Sequence, residues 1–122
     1  MLSIICDQYS LPTNVNNLNR AILNIIRQLN KGNNSNLFGI YHFSDQGSPI
    51  SRYDFAKLFF ALLRKKNISN LIIKKIESNY FYKKNIRPFN TALNAGKIIK
   101  TFNVKTVNWK YSLRKFIKQE YK

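Results

Sequence analysis

The fold of this chain is organised around the stretch Ile86-Arg87-Pro88-Phe89-Asn90-Thr91-Ala92-Leu93-Asn94-Ala95-Gly96-Lys97. Pro88 fixes its own φ and favours an extended conformation for Arg87. Residues 90–93 predict a short extended segment, and Asn94 stands where a helix N-cap is expected. An extended arm, an exposed cation, a short strand and a capped helix therefore follow one another. This order predicts that Arg87 is held over a pocket that the rest of the chain builds.

Hydrophobic patterns on both sides of this stretch predict short strands and amphipathic helices. Continuous apolar runs predict strands at residues 2–6, 37–43 and 71–73. Apolar residues spaced by three and four predict helices over residues 15–29, 51–66, about 94–102, and from Asn108 onward. Thr13 or Asn14 would cap the first of these helices, and Ser51 with Asp54 would cap the second.

Strands alternate with helices in the first part of the chain, which is typical of βαβ connections. The strands are too few for a complete doubly wound sheet. We therefore predict an α+β fold derived from α/β, with three or four short strands and about four helices, in a single domain of residues 1–122.

Composition places the chain among folded proteins of the cytoplasm. Hydrophobic residues make up 44% and aromatic residues 14%, which is enough for a core. No apolar run reaches the roughly 18 residues of a membrane span, and residues 1–6 are too short for a signal peptide. The one cysteine, Cys6, cannot form an internal disulfide and is expected to be a buried small hydrophobe.

The net charge of +16 raises the alternative of a basic nucleic-acid-binding module. Lysine recurs evenly along the chain, however, and it outnumbers arginine, whose guanidinium group forms bidentate hydrogen bonds with phosphate. A nucleic-acid partner is therefore disfavoured, and a contiguous basic stripe with aromatic residues would be needed to support it. The basic and aromatic residues 80–84 fit either a base-stacking loop or a solvated loop.

The sequence contains no motif for a cofactor or a metal. The four glycines, at positions 32, 39, 47 and 96, do not form a dinucleotide fingerprint or a P-loop. His42, Cys6 and five scattered acidic residues do not form a ligand cluster, and His42 is expected to lie on a sheet face or in the core. Tyr53 and Lys57 match the Tyr-x-x-x-Lys spacing of short-chain dehydrogenases, but no nucleotide fold precedes them. We interpret them as structural.

Five segments, in order, resemble the dTDP-4-dehydrorhamnose reductases. The first three are Asp7-Gln8-Tyr9-Ser10-Leu11-Pro12-Thr13, Gly39-Ile40-Tyr41-His42-Phe43 and Ser51-Arg52-Tyr53-Asp54-Phe55-Ala56. The fourth runs from Arg87 to Lys97 and matches at Arg87-Pro88, Asn90-Thr91, Leu93-Asn94 and Lys97. The fifth is Asn108-Trp109. The resemblance extends from residue 2 to the C-terminus, and it departs from the family pattern at several positions. Arg52 replaces a tryptophan of the family, and Asn108 replaces an aspartate. Ser10 replaces a loop glycine, and a serine would strain a turn of positive φ at this position.

The resemblance implies the C-terminal, substrate-binding part of an extended short-chain dehydrogenase that lacks the complete Rossmann sheet. The family reduces the 4-keto group of dTDP-4-dehydro-L-rhamnose with NADPH or NADH. The N-terminal NAD(P)-binding domain, with the glycine loop and the catalytic Tyr/Lys pair, is absent from this chain. We therefore expect no catalytic or cofactor-binding residue here, and no activity of the chain alone. A separate chain would supply the other half, unless the chain is an inactive structural remnant.

The same resemblance implies a dTDP-sugar nucleotide as ligand. Arg87 would bind the diphosphate and Asn90 would also contact the substrate. Three residues of the first segment and one at its end would line or brace the cleft: Asp7, Gln8, Tyr9 and Thr13. Some members of the family bind magnesium at a dimer contact through Glu residues, but Asn and Gln stand near those places here. No metal site is expected.

Without the nucleotide-binding half, apolar residues of the first two predicted strands would be partly uncovered. They are Ile4, Ile5, Ile40 and Phe43. Open sheet edges of this kind pair with other chains, so the sequence predicts a marginally stable chain that associates with a partner or with a second copy of itself.

Overall fold

The computed structural model describes residues 1–32, 35–64, 71–80 and 87–121. The strands are β1 (Leu2–Ile5), β2 (Tyr9–Ser10), β3 (Ile50–Ser51) and β4 (Ile73–Ile76). The helices are α1 (Val15–Leu29), α2 (Arg52–Arg64), α3 (Gly96–Phe102) and α4 (Trp109–Glu120), with single 3₁₀ turns at Ser35–Leu37 and Ser78–Tyr80. Short strands and four helices within these residues confirm the predicted α+β fold class.

The strands form two small sheets rather than one large sheet. β1 pairs in parallel with β4, in a register that places Leu2 beside Ile73 and Ile5 beside Ile76. β2 pairs antiparallel with β3. Across the described residues, each sheet has two strands, so the expectation of an incomplete Rossmann sheet is confirmed.

Three helices begin where the sequence predicts, because polar side chains satisfy their first backbone N–H groups. Asn14 and Asn108 cap α1 and α4, each accepting a hydrogen bond from the N–H two residues on. The Ser51 hydroxyl oxygen accepts from the Asp54 N–H at 3.0 Å and its O–H donates to the Asp54 carboxylate at 2.7 Å. α3 begins one residue later than predicted, after Ala95, although Asn94 still accepts from the Gly96 N–H at 2.7 Å.

The predicted strand at residues 37–43 is wrong. Leu37 ends a 3₁₀ turn and residues 38–43 are irregular. Leu37, Tyr41 and Phe43 nevertheless pack against one hydrophobic cluster while Phe38, Ile40 and His42 are exposed. The alternation in the sequence therefore reflects one-sided burial of an extended chain, which needs no strand partner. For the same reason His42 is a surface residue, contrary to expectation.

Several smaller expectations also need correction. The third strand, predicted at residues 71–73, lies at Ile73–Ile76. Cys6 is half-buried, not buried. Ser10 lies in β2, in extended backbone, so the strained turn expected at this position does not form. Ile5 is buried, with 7% of its surface exposed, because β4 and α2 pack against β1, whereas Ile40 is 80% exposed.

Most buried hydrophobic residues of the described chain belong to two clusters. One unites α1 and α3 around Ala21, Ile98 and Phe102. The other unites α2 and α4 around Leu63 and Trp109. Among the helices of the described residues, none has both the length and the hydrophobicity required to cross a membrane.

Candidate functional site

Three segments that are distant in sequence meet at Tyr9. The Tyr9 N–H donates to the Phe89 carbonyl at 2.7 Å, and the Tyr9 carbonyl accepts from the Thr91 N–H at 2.9 Å. On its other side Tyr9 pairs with Ser51 of β3. β2 therefore holds the Arg-Pro segment on one edge and the start of α2 on the other.

A cavity of about 200 Å³ opens where these segments meet. Its lining residues come from all three segments: Gln8, Tyr9, Ser10, Arg52, Arg87, Pro88 and Thr91. None of them is acidic, and two are arginines. The predicted residues Arg87, Gln8 and Tyr9 are thus brought together, at a cavity whose charge suits an anion.

Gln8 is the buried polar residue of this cavity. Only 5% of its surface is exposed, and its Nε2 finds no hydrogen-bond acceptor among the described residues. A buried amide that lacks a partner costs about 1–3 kcal/mol. Such a donor in a cavity is a common feature of a site that binds an acceptor from outside the chain.

Asp7 precedes this cavity but does not line it. Its carboxylate accepts the Ser78 O–H at 2.7 Å and the Ser78 N–H at 3.1 Å. The hydrogen bond from the Ser78 hydroxyl lowers the pKa of Asp7 below its ordinary value, and the Ser78 N–H lowers it further, while partial burial opposes both. The contact ties the end of β1 to the turn after β4, so Asp7 occupies a bracing position.

We expect Ser78→Ala to raise the pKa of Asp7 toward its ordinary value of about 3.9. Because the pKa is lowered in the folded state, the contact stabilises the fold above that ordinary value, and its contribution is lost as the pH falls through the folded-state pKa. An NMR titration of the Asp7 carboxyl carbon would measure the shift. Ser3→Ala, at an exposed position of β1, would be the control. Identical titration of Asp7 in the wild type and in Ser78→Ala would contradict this account.

The other two predicted site residues have different surroundings. Asn90 forms a parallel bridge with Tyr9, and its side chain accepts from the Ala92 N–H at 3.0 Å, so it shapes the Arg-Pro segment. Thr13 lies at a second cavity, of about 320 Å³, with Phe55 and Trp109 among its lining residues. It does not line the cavity of Arg87.

Four lining residues were not among the predicted site residues: Ser10, Arg52, Pro88 and Thr91. Arg52 is the one that carries a charge. Its backbone N–H donates to the Gln8 carbonyl at 3.3 Å, which places it opposite Gln8 across the β2–β3 pair. Two features of the sequence could have indicated Arg52 as a site residue. It directly follows the Ser51 cap, and it replaces the tryptophan that is usual in the family at this position.

A third cavity, of about 620 Å³, is basic and lies between α1 and the segment that joins α3 to α4. Arg20, Arg27 and Lys105 line it together with Phe102. Phe102 is only 2% exposed, so its ring offers no stacking surface for a base. The basic stripe with aromatic residues that would support nucleic-acid binding is not found at this cavity. Of residues 80–84, only Tyr80 lies within the described residues.

The residues of other sequence motifs do not assemble into a cofactor or metal site. In the part of the chain that the structure describes, no three His, Cys, Asp or Glu side chains come together. Lys57 is exposed, and the ring of Tyr53 faces the Lys75 ammonium group, 5.4 Å from the ring centre. The glycines lie in separate segments and none follows β1 directly. The described residues therefore do not fit a nicotinamide dinucleotide.

Comparisons with known proteins agree on one family. A family model described as the RmlD substrate binding domain matches residues 1–122. The dTDP-4-dehydrorhamnose reductase of Sinorhizobium fredii (strain NBRC 101917 / NGR234) is 27% identical over 116 residues, which are 95% of this chain and 39% of that protein.

Solved structures show the same relation. The dTDP-4-dehydrorhamnose reductase of Clostridium acetobutylicum is 26% identical, with a TM-score of 0.75 over 97% of this chain and 38% of that one. The Bacillus anthracis reductase, solved in complex with NADP, is 24% identical with the same TM-score and the same coverage, and shows the fold. This chain thus spans well under half the length of the relatives it matches. Because the family model covers every residue, the chain belongs to the RmlD substrate binding domain family.

Proposed function

We propose that this chain forms the sugar-nucleotide side of a dTDP-4-dehydrorhamnose reductase active site, as a single substrate-binding domain. The observation that carries the proposal is the cavity at which Arg87 meets Gln8 and Tyr9. Arg87 holds the diphosphate of the dTDP-sugar, because a guanidinium group offers a fork of N–H donors that matches two phosphate oxygens. Tyr9 and Thr91 provide the wall beside it, and Asp7 and Asn90 brace the segments.

Cavity size supports a division of labour between this chain and a second segment. Sites for whole small molecules usually measure about 300–1,000 Å³, and the cavity at Arg87 measures about 200 Å³. It accommodates a diphosphate, while the thymidine and the sugar extend beyond it. The remaining walls, together with the NADPH or NADH that supplies the hydride, belong to an NAD(P)-binding domain. We also propose that the protein acts in the cytoplasm, as its composition predicts.

The alternative of an inactive remnant makes a different prediction about ligand binding. A remnant keeps the fold because its hydrophobic cores are filled, but no functional requirement maintains a cation at position 87. The proposed function therefore requires that the chain binds a dTDP-sugar through Arg87, whether or not it turns the ligand over. Activity requires the second domain, because hydride transfer needs the nicotinamide held against the sugar.

We expect Arg87→Met to weaken binding of dTDP-L-rhamnose, the expected product, by about tenfold to a hundredfold, the effect of losing a charge-assisted hydrogen bond. Isothermal titration of the full chain would measure it, with Arg114→Met as the matched control, since Arg114 is exposed on α4 and lines none of the three cavities. A parallel titration with NADPH should give no saturable binding.

Equal affinities of Arg87→Met and Arg114→Met for dTDP-L-rhamnose would reject the proposed role of Arg87. Micromolar affinity of the chain alone for NADPH would reject the proposed division between two domains. If a second chain carrying an NAD(P)-binding domain restores turnover when mixed with this one, the split-enzyme form of the proposal is correct.

A further inference from the structure

We propose that Arg52 and Gln8 join Arg87 in a site with two guanidinium groups, which binds a diphosphate group carrying at least two negative charges. The inference rests on the proposed function only for the identity of its natural ligand, a nucleoside diphosphate. Arg52 stands where the family resemblance has a tryptophan, so the second cation is a property of this chain and sets its preference for more highly charged ligands.

Strand pairing fixes the position of Arg52. β2 and β3 pair so that Tyr9 lies opposite Ser51, and the Arg52 N–H donates to the Gln8 carbonyl at 3.3 Å. Gln8 and Arg52 lie one position beyond this strand pair, so its register brings their backbones side by side. Both residues line the same cavity.

The buried amide of Gln8 supplies a donor that the described residues leave unused. Only 5% of the Gln8 surface is exposed, and its Nε2 is buried without an acceptor among these residues. A phosphate oxygen in the cavity would accept from this N–H and would remove the penalty of leaving it unpaired. The site thus combines two cations with a preformed neutral donor.

Local charge favours an anion over a neutral ligand. No acidic residue lines the cavity, and the nearest carboxylate in sequence, Asp7, is turned to Ser78 by three hydrogen bonds. Two guanidinium groups match the two charges of a diphosphate, since each can form a bidentate pair with phosphate oxygens. A singly charged phosphate diester would leave one of the two cations unmatched.

Isothermal titration of the full chain with inorganic pyrophosphate at low ionic strength tests the site. We expect Arg52→Met to weaken pyrophosphate binding by about tenfold or more, the cost of one charge-assisted contact. Arg114→Met, which removes the same charge from an exposed position of α4, should change the affinity by less than about threefold, since exposed charges act only through screened long-range attraction. Gln8→Met should also weaken binding, and it should not lower the melting temperature, because it removes a buried donor that has no partner.

Two results would overturn the inference. One is equal pyrophosphate affinity in Arg52→Met and Arg114→Met. The other is a Gln8→Met protein that melts lower but binds pyrophosphate as the wild type does, because Gln8 would then be purely structural. Failure here leaves the proposed function intact if dTDP-L-rhamnose still depends on Arg87. Conversely, pyrophosphate binding that depends on Arg52, in a chain that does not bind dTDP-L-rhamnose, would support this site and reject the proposed function.

Discussion

Trp109→Ala is expected to destabilise the fold by about 3–5 kcal/mol, the usual cost of deleting a large buried aromatic side chain. Trp109 is 2% exposed, and its indole N–H donates to the Ser48 carbonyl at 3.0 Å. Its ring lies 6.0 Å from that of Phe55, so it joins α4 to α2. The packing is tight, since a Cβ added to Gly47 would lie 2.9 Å from the indole ring. A domain has about 5–15 kcal/mol in total, so this loss is a large part of its stability.

Thermal unfolding of the wild type and of Trp109→Ala would measure the effect, with an expected fall in melting temperature of roughly 10–20 °C. Tyr111→Ala is the matched control, because Tyr111 lies on the same helix and is 62% exposed. Its effect should stay within about 0.5 kcal/mol. Equal melting temperatures for the two alanine variants would show that the second core cluster does not hold the chain together.

The helices were predictable because their signals are local. Asn14, Ser51 and Asn108 precede apolar residues with helical spacing, and all three act as caps in the structure. The strands were less predictable, because pairing depends on distant partners. Residues 37–43 alternate as a strand does, yet they pair with no strand among the described residues. β1, by contrast, pairs with a segment about 70 residues away, at Ile73–Ile76.

The candidate site was predictable to the extent that its residues lie in recognisable segments. Arg87, Gln8 and Tyr9 are marked by their motifs and share one cavity. Thr13 belongs to the same motif as Gln8 but lies at another cavity, because β2 and residues 11–12 separate the two positions. Arg52 departs from the family pattern within its segment, and the register of β2 against β3 places it beside Gln8. Which residues of a motif share a pocket is thus decided by pairing, which one sequence does not show.

The loop after residue 43 illustrates a further limit of sequence reasoning. Its residues 44–48 are all polar or glycine, yet Ser44 and Asp45 are buried. The Asp45 carboxylate accepts the Asn14 N–H at 3.1 Å and the side-chain amide of Asn17 at 2.8 and 3.0 Å. The same Asn17 amide donates to the Ser112 hydroxyl oxygen at 3.1 Å. One buried carboxylate thereby links the start of α1, the loop and α4.

We expect Asp45→Asn to destabilise the fold by about 2–4 kcal/mol, even though the two side chains have nearly the same size. Asparagine replaces one acceptor oxygen with an N–H₂ group, which would face the N–H of Asn14 or of Asn17. At least one buried donor is then left without a partner. The favourable interaction of a negative charge with the N-terminus of α1 is lost as well.

Urea denaturation of Asp45→Asn should show this loss, while the control Glu120→Gln, at the exposed end of α4, should change the free energy of unfolding by less than about 1 kcal/mol. A double-mutant cycle with Asn17→Ala separates a network from independent contacts. If the two residues act as a unit, Asn17→Ala should cost much less in the Asp45→Asn protein than in the wild type, because its main partner is already disabled. Additive losses would mean that each side chain stabilises the fold by separate contacts. In that case the buried carboxylate would not couple α1 to α4.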